Sequence, residues 1–281
     1  MRRTFLFAAL AGVLLAQPNP TANWSSTQKE QFLLTADIGQ AELAGKGITK
    51  SEKAVLTLNG VTHGAHIQSI DVYQPLFKGK DGSQEQDFKD SWKFNVAAYR
   101  LAKLLNLTNM VPVSVSRVVE GKASSIDWWV DDVLMDERER IDKNIAPPDA
   151  ARWRTQMDTI RVFDQLIYNM DRSQENLLIT KNWDVWMIDH TRAFRKWTAL
   201  RNPAAITHCT PDLLHALKKL QRGEVVRQLG EFLTDAEIDG MMARRDLIVA
   251  KLEGRGDGTS VSGRQPASST ATKTLSKSAG H

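Results

Sequence analysis

Cysteine is almost missing from this chain of 281 residues: Cys209 is the single one, so no internal disulfide can form. A lone thiol beside His208, with no supporting motif, reads as an ordinary partly buried cysteine and not as a nucleophile. Excess charge is missing too. The net charge is +4, but Arg2, Arg3 and a basic C-terminal tail (Arg255, Arg264, Lys273 and Lys277 against Asp257) account for all of it. The body of the chain is close to neutral and lacks the basic footprint that a nucleic-acid partner requires. A full P-loop pattern, internal repeats and coiled-coil heptads are absent as well. The apolar run Phe5 to Ala16 is too short to span a bilayer as a stable helix. No membrane span is therefore expected in the mature chain.

That run follows Arg2-Arg3 and ends in small residues near Ala16-Gln17, the layout of a secretory signal peptide. Residues 1–16 are assigned to it, and export to the periplasm or medium follows, by a Sec-type signal in preference to the twin-arginine type. From 254 to 281 the chain is mostly Gly, Ser, Thr and Ala with scattered charge, too poor in apolar residues to offset the entropy of ordering. This tail is expected to be disordered.

Between the ends, residues 17–44 read as a lead-in segment, with a short helix from about Ser25 to Ala44. Ala54 to Leu58 runs into Asn59-Gly60, a strong signal for a two-residue hairpin turn, and Ala65 to Tyr73 is the returning strand. Lys78 to Gln86 is polar and reads as an exposed loop. A helix is expected from about Ser91 to Leu105, where Phe94, Ala97, Ala98, Leu101, Leu104 and Leu105 keep helical spacing. Val111 to Val119 and Ala123 to Val133 form a second hairpin about Glu120-Gly121-Lys122. The second half is mostly helical: Pro148 to Asn169, Thr210 to Leu220, Val225 to Leu233 and Asp235 to Leu252, with a short hairpin of Leu177–Ile179 and Val185–Ile188 between. The fold class is α+β and bilobal: a small antiparallel-sheet lobe with one helix, residues 45–135, and a larger helical lobe, residues 136–253. Ligands commonly bind in the cleft between two lobes.

The densest chemistry lies in the second half. Asp171 stands five residues before Asn176, and Asn176 thirteen before Asp189. Asp171 falls where a helix gives way to a loop, and Asp189 ends the short apolar strand Val185-Trp186-Met187-Ile188. Phosphoryl transfer needs a carboxylate aimed at the attacking hydroxyl and oxygen ligands for a cation that bridges phosphates. Asn176 and Asp189 offer such oxygens to a hard cation like Mg2+. Upstream, Gly45-Lys46-Gly47 is a glycine turn, weak evidence for phosphate binding by itself. His190 reads as a structural histidine, and Trp128, Trp129, Trp183, Trp186 and Trp197 as packing or hinge residues. Asp131 and Asp132, where the lobes join, read either as ribose contacts or as solvated charges.

Asn169-x-Asp171-Arg172-x-x-x-Asn176, then Ile188-Asp189-His190 and Ala193-Phe194, resembles the atypical kinase superfamily of phosphatidylinositol 3-/4-kinases, HipA-like kinases and secretory-pathway FAM20-like kinases. The likeness runs more loosely upstream, through Gly47-Ile48-Thr49, the hairpin strands, Ala97-Ala98-Tyr99-Arg100-Leu101 and Val111-Pro112, and covers roughly Gly45 to Leu252. It implies a protein-kinase-like fold with Asp171 as catalytic base, Asn176 and Asp189 as magnesium ligands, and Arg172 steadying the catalytic loop. It implies ATP or another nucleotide with Mg2+, acting on a protein or small hydroxyl substrate. Gly45, Lys46, Gly47, Gln68 and Asn95 would face the nucleotide.

Two positions depart from that pattern. Gln68 stands where the family has a strand lysine for the ATP phosphates, and Asn95 where it has the helix glutamate that pairs with it. A charged pair is exchanged for two amides able to hydrogen-bond. Lys46 is one replacement cation; Lys78 and Lys80 are others. The alternative is then a pseudokinase, a binding or regulatory module without turnover, and transfer of a nucleotide in place of a phosphate is a third reading.

Overall fold

Asn59 and Gly60 hold φ of 52° and 79°, the left-handed pair that a two-residue hairpin turn needs. They fold β2 (Glu52–Leu58) back onto β3 (Val61–Gln68) as an antiparallel pair. The computed structural model describes residues 20–43, 52–79 and 82–254. The expected signal peptide, the Gly45-Lys46-Gly47 turn, Lys80 and all of the expected tail after Gly254 lie outside the described residues.

The second expected hairpin forms in the same way. Glu120 and Gly121, at φ of 49° and 80°, join β6 (Ser114–Val119) to β7 (Lys122–Trp128). With β1 (Asp37–Leu43) on the far edge, five strands make one antiparallel sheet in the order β1-β2-β3-β7-β6. Alternation gives this sheet two unlike faces. Ala65, Ile67, Ile126 and Trp128 enter the apolar core, where Trp128 meets Phe32 edge-on at 5.8 Å. The opposite face carries the row Lys53–His66–Asp127–Ser114, one residue from each of β2, β3, β7 and β6.

The lead-in helix is shorter than the sequence suggests. α1 (Ser26–Thr35) starts at a capping box between Ser25 and Gln28, but it stops at Thr35 and β1 follows after one residue. Arg117 of β6 donates to the carbonyls of Leu33 and Ala36, which satisfies the helix end. Sheet pairing with β2 then claims 37–43. The expected strand from Ala65 to Tyr73 is also two elements: β3 ends at Gln68, and β4 (Asp71–Lys78) pairs with β5 (Gln84–Ser91) in a separate two-stranded ribbon. The expected loop from Lys78 to Gln86 is only the tip of that ribbon. Its stem carries few alternating apolar residues, so the pattern conceals it; Phe77 and Phe88 stacked at 4.5 Å hold it together.

α2 (Lys93–Leu104) follows the ribbon and buries Phe94, Val96, Ala97, Ala98 and Leu101. Beyond the sheet come β8 (Val133–Asp136), α3 (Glu137–Asp142) and α4 (Ala150–Leu166), capped by Asp149. The expected short hairpin, β9 (Leu177–Thr180) with β10 (Val185–Met187), gains β8 as a third strand. α5 (Pro211–Lys219), α6 (Arg222–Leu229) and α7 (Asp235–Leu252) complete the helical half. The arrangement is α+β, an antiparallel sheet with α2 joined to a mainly helical half.

A buried arginine of α7 anchors the segment after β10 to the helices. Arg244 of α7 donates to the carbonyls of Leu166, Arg195 and Trp197, and burial pulls its guanidinium down to about 9. Gly240, one turn earlier, lets the Lys196 carbonyl approach to where a side chain would otherwise stand. Among the described residues no helix is long and apolar enough to cross a membrane.

Candidate functional site

α4 ends at Leu166, and the chain turns through Tyr168 at φ 51° into the loop that holds Asp171. Asn169 shapes that loop. Its side-chain oxygen accepts from the Asp171 N–H at 3.0 Å, while its amide donates to Asp164 at 3.0 Å. The Asp171 carboxylate is left largely exposed, with Arg192 Nη1 at 3.5 Å as its ion-pair partner.

Arg172 points the other way, into the protein, where both it and Asp164 are 12% exposed. It forks onto Asp164 through Nε and Nη2, at 3.0 and 3.1 Å. Its Nη1 donates to the carbonyls of Asn176 at 3.1 Å and Ile188 at 2.7 Å. The Ile188 N–H in turn donates to the Asn176 carbonyl at 3.1 Å, and the Asn176 amide donates to the Asp171 carbonyl at 3.2 Å. One guanidinium thus ties the loop carrying Asp171 and Asn176 to the strand end carrying Asp189. Planar, multivalent arginine is suited to this; lysine is not.

Asp189 has φ 53°, a left-handed conformation that turns the chain sharply after β10. Its Oδ1 accepts from the Thr191 hydroxyl at 2.9 Å. The next N–H, that of His190, donates to the Asn95 side-chain oxygen of α2 at 2.9 Å. Asn95 therefore joins the two halves of the molecule at the site, though not through Gln68. Its amide nitrogen donates to Ser125 at 3.3 Å and Asp127 at 3.2 Å, and Gln68 instead accepts from the Ile70 N–H at 2.9 Å. The two amides go to different partners, and no Gln68–Asn95 pair forms.

A histidine–aspartate pair occupies the sheet face where a charged pair was sought. His66 Nδ1 lies 3.0 Å from Asp127 Oδ2. Burial works against a charge on His66, but the Asp127 hydrogen bond and the carboxylates of Asp127 and Asp189 outweigh it and raise its pKa. His190 is the opposite case. It is 3% exposed, and burial, aided by Arg172, drives its pKa well down, so it is a neutral core group.

Asp90, at the end of the ribbon, escaped the sequence reading. It is 7% exposed, and its Oδ1 has no hydrogen-bond partner among the described residues. Burial raises its pKa, Thr191 and Arg192 oppose this, and Asp189 and Asp171 reinforce it. Asp90 thus belongs to the same electrostatic neighbourhood as the two acids picked from the sequence. Nothing in the pattern around it shows this, because Asp90 lies beyond the loop expected from Lys78 to Gln86, on a stretch of β5 without apolar alternation.

The remaining residues fall into place. Asp131 accepts from or pairs with His63 at 3.1 Å, and Asp132 pairs with Lys181 at 2.9 Å. Trp128 stacks on His63 at 3.6 Å, and Trp153 meets Trp183 edge-on. Burial lifts the Cys209 thiol to about 11, far from a reactive thiolate. Lys78 lies exposed on β4.

Among the described residues no three His, Cys, Asp or Glu side chains cluster closely enough to hold a metal ion. Asn176 and Asp189 carry one amide oxygen and one carboxylate. Those hard oxygens fit Mg2+, which keeps several waters and takes phosphate oxygens as further ligands.

No family model matches the chain, and no curated protein matches it. Among solved structures it is similar to a Helicobacter pylori protein described as the proinflammatory kinase CtkA, at 11% identity and a TM-score of 0.46, over 80% of this chain and 95% of that one.

Proposed function

We propose that the chain is a kinase-like phosphotransferase that uses ATP, or another nucleotide, with Mg2+ on a protein or small hydroxyl substrate. The observation that carries the reading is Arg172 Nη1 holding the Asn176 and Ile188 carbonyls together. That contact brings the chain on either side of Asn176 and Asp189 into register and leaves Asp171 exposed beside them.

In this reading Asn176 and Asp189 hold the cation through their oxygens. Mg2+ held by these two residues would supply positive charge against the phosphates. Asp171 accepts a hydrogen bond from the substrate hydroxyl and takes up its proton as attack proceeds. Thr191 restrains one oxygen of Asp189, and Arg172 keeps the loop from opening. The site faces the periplasm or medium if residues 1–16 direct export, which fractionation of the expressed chain would test.

The test is thermal stability with ATP or GTP, with and without Mg2+, beside Asp189→Ala. A magnesium-dependent rise that the variant loses is expected; no rise in either protein would end the nucleotide reading. Turnover of labelled ATP, abolished by Asp171→Ala, separates an enzyme from the second reading, a pseudokinase. That second reading is favoured by Gln68, whose side chain caps the Ile70 N–H and brings no charge to the phosphates. Binding without turnover would select it.

A further inference from the structure

Resting on that nucleotide reading, we propose that Lys53 supplies, from β2, the positive charge for the nucleotide's phosphates that Gln68 does not supply from β3. Lys53 lies directly opposite His66 in the β2–β3 register, and His66 lies opposite Asp127 of β7. Cross-strand partners share a face, and this is the face that Asn95 reaches from α2 while holding the His190 N–H next to Asp189. Lys53 therefore projects from the side of the sheet that looks onto the candidate site, not from the side packed under Phe32.

Around the site, other cations are already engaged: Arg201 donates to the Asn169 carbonyl at 3.0 Å, and three more meet carboxylates. Arg172 forks onto Asp164, Arg192 pairs with Glu85 and Asp171, and the His66 ring is hydrogen-bonded to Asp127. Lys53 has no carboxylate partner among the described residues. Its ammonium lies 4.1 Å from the centre of the Trp129 ring. Lys53 is exposed and Trp129 half-buried; such a cation–ring contact is worth only about 1 kcal/mol, and lysine's four-carbon stem lets it leave the ring for a stronger acceptor.

The local sequence is arranged to permit this contact. Gly64 sits between the two: a Cβ there would come within 3.1 Å of Trp129 Cβ and 3.3 Å of Cγ. With no side chain at 64, the indole lies across β3 within reach of Lys53. The Trp129 N–H also donates to the Gly64 carbonyl at 3.2 Å, which fixes the backbone under the ring. Lys53, held by Gly64 and Trp129, is thus a placed, exposed cation on the sheet face that carries His66.

The experiment measures affinity for ATP with Mg2+ and for adenosine in the wild-type chain, Lys53→Met, Lys53→Arg and Lys46→Met. Lys53→Met should weaken ATP about tenfold or more, the scale of one charge-assisted contact, and leave adenosine unchanged. Lys53→Arg should restore part of the loss, and Lys46→Met should lose less than Lys53→Met. Unchanged ATP affinity in Lys53→Met, with wild-type binding intact, overturns the assignment and leaves the nucleotide reading standing. Equal losses of ATP and adenosine also overturn it, since Lys53 would then only support Trp129. A loss confined to Lys46→Met moves the charge to the glycine turn. Failure of the wild-type chain to bind either ligand sinks the nucleotide reading itself, and the assignment with it.

Discussion

His66 and Asp127 are joined across the β3–β7 pair by a 3.0 Å hydrogen bond on the sheet face that looks toward Asp189. Its consequence is a pH dependence with a defined sign. The raised pKa of His66 means that its contribution to stability is complete below the ordinary 6.5 and is lost as pH climbs through the raised value. His190, lowered by burial, contributes fully above 6.5 and loses its contribution as pH falls below it. The midpoint of urea unfolding should therefore be highest near pH 6.5. His66→Gln should flatten the alkaline side and His190→Leu the acid side; identical profiles in both variants and the wild type would refute the assignment.

Arg172→Lys keeps the charge but cannot fork onto Asp164 while also reaching two carbonyls. Each hydrogen bond to a charged group lost there costs about 1.5–3 kcal/mol. Chemical denaturation should show a loss of that size, together with weaker nucleotide binding. A variant as stable as the wild type would mean that the loop is held by other contacts.

Glu85 receives Arg192 and the 1%-exposed Arg195 together. Glu85→Ala strands a buried guanidinium, so a loss of about 3 kcal/mol is expected. It also frees Arg192, leaving Asp171 its only carboxylate partner. Chemical denaturation measures the loss; a variant as stable as the wild type would show that the Ala193 and Lys89 carbonyls suffice to hold Arg195.

Gly240→Ala tests the approach of α7 to the segment after Phe194. The new Cβ would lie 2.6 Å from the Lys196 carbonyl oxygen, which is backbone and cannot swing aside. Overpacking of this kind costs about 1–3 kcal/mol. Gly223→Ala, whose Cβ would meet only the end of the Arg227 side chain at 3.7 Å, is the control and should be neutral or slightly stabilising.

What could be read from the sequence was local. Asn59-Gly60 and Glu120-Gly121 announced their turns because left-handed φ is demanded there, and α2 announced itself through its apolar stripe. Asp171, Asn176 and Asp189 fall at element boundaries, where side chains reach solvent, and those boundaries show in the pattern. Their mutual anchoring was legible in part, through Arg172. The β4–β5 ribbon was not, since most of its stem is exposed and leaves no alternation. Asp90, His66, Asp127 and Lys53 gain meaning only from strand register, which a single sequence does not state. The Gln68–Asn95 pairing failed for the same reason: facing positions on a strand and a helix were assumed to touch, and Asp127 from a third element took the contact.

The ribbon has a last consequence, for the order in which the molecule is made. Its two strands are neighbours along the chain, but Glu85 awaits Arg195, 110 residues later, and Lys89 awaits Glu237, 148 residues later. A two-stranded ribbon is marginal in water without something to pack on. As the chain leaves the ribosome, this segment emerges with Glu85 unpaired and with Phe88, buried in the folded protein, uncovered. It is expected to dock only after the helical half exists, a late and slow step governed by distant contacts. Pulse-labelled hydrogen exchange during refolding should find the β4–β5 amides protected after those of β2 and β3.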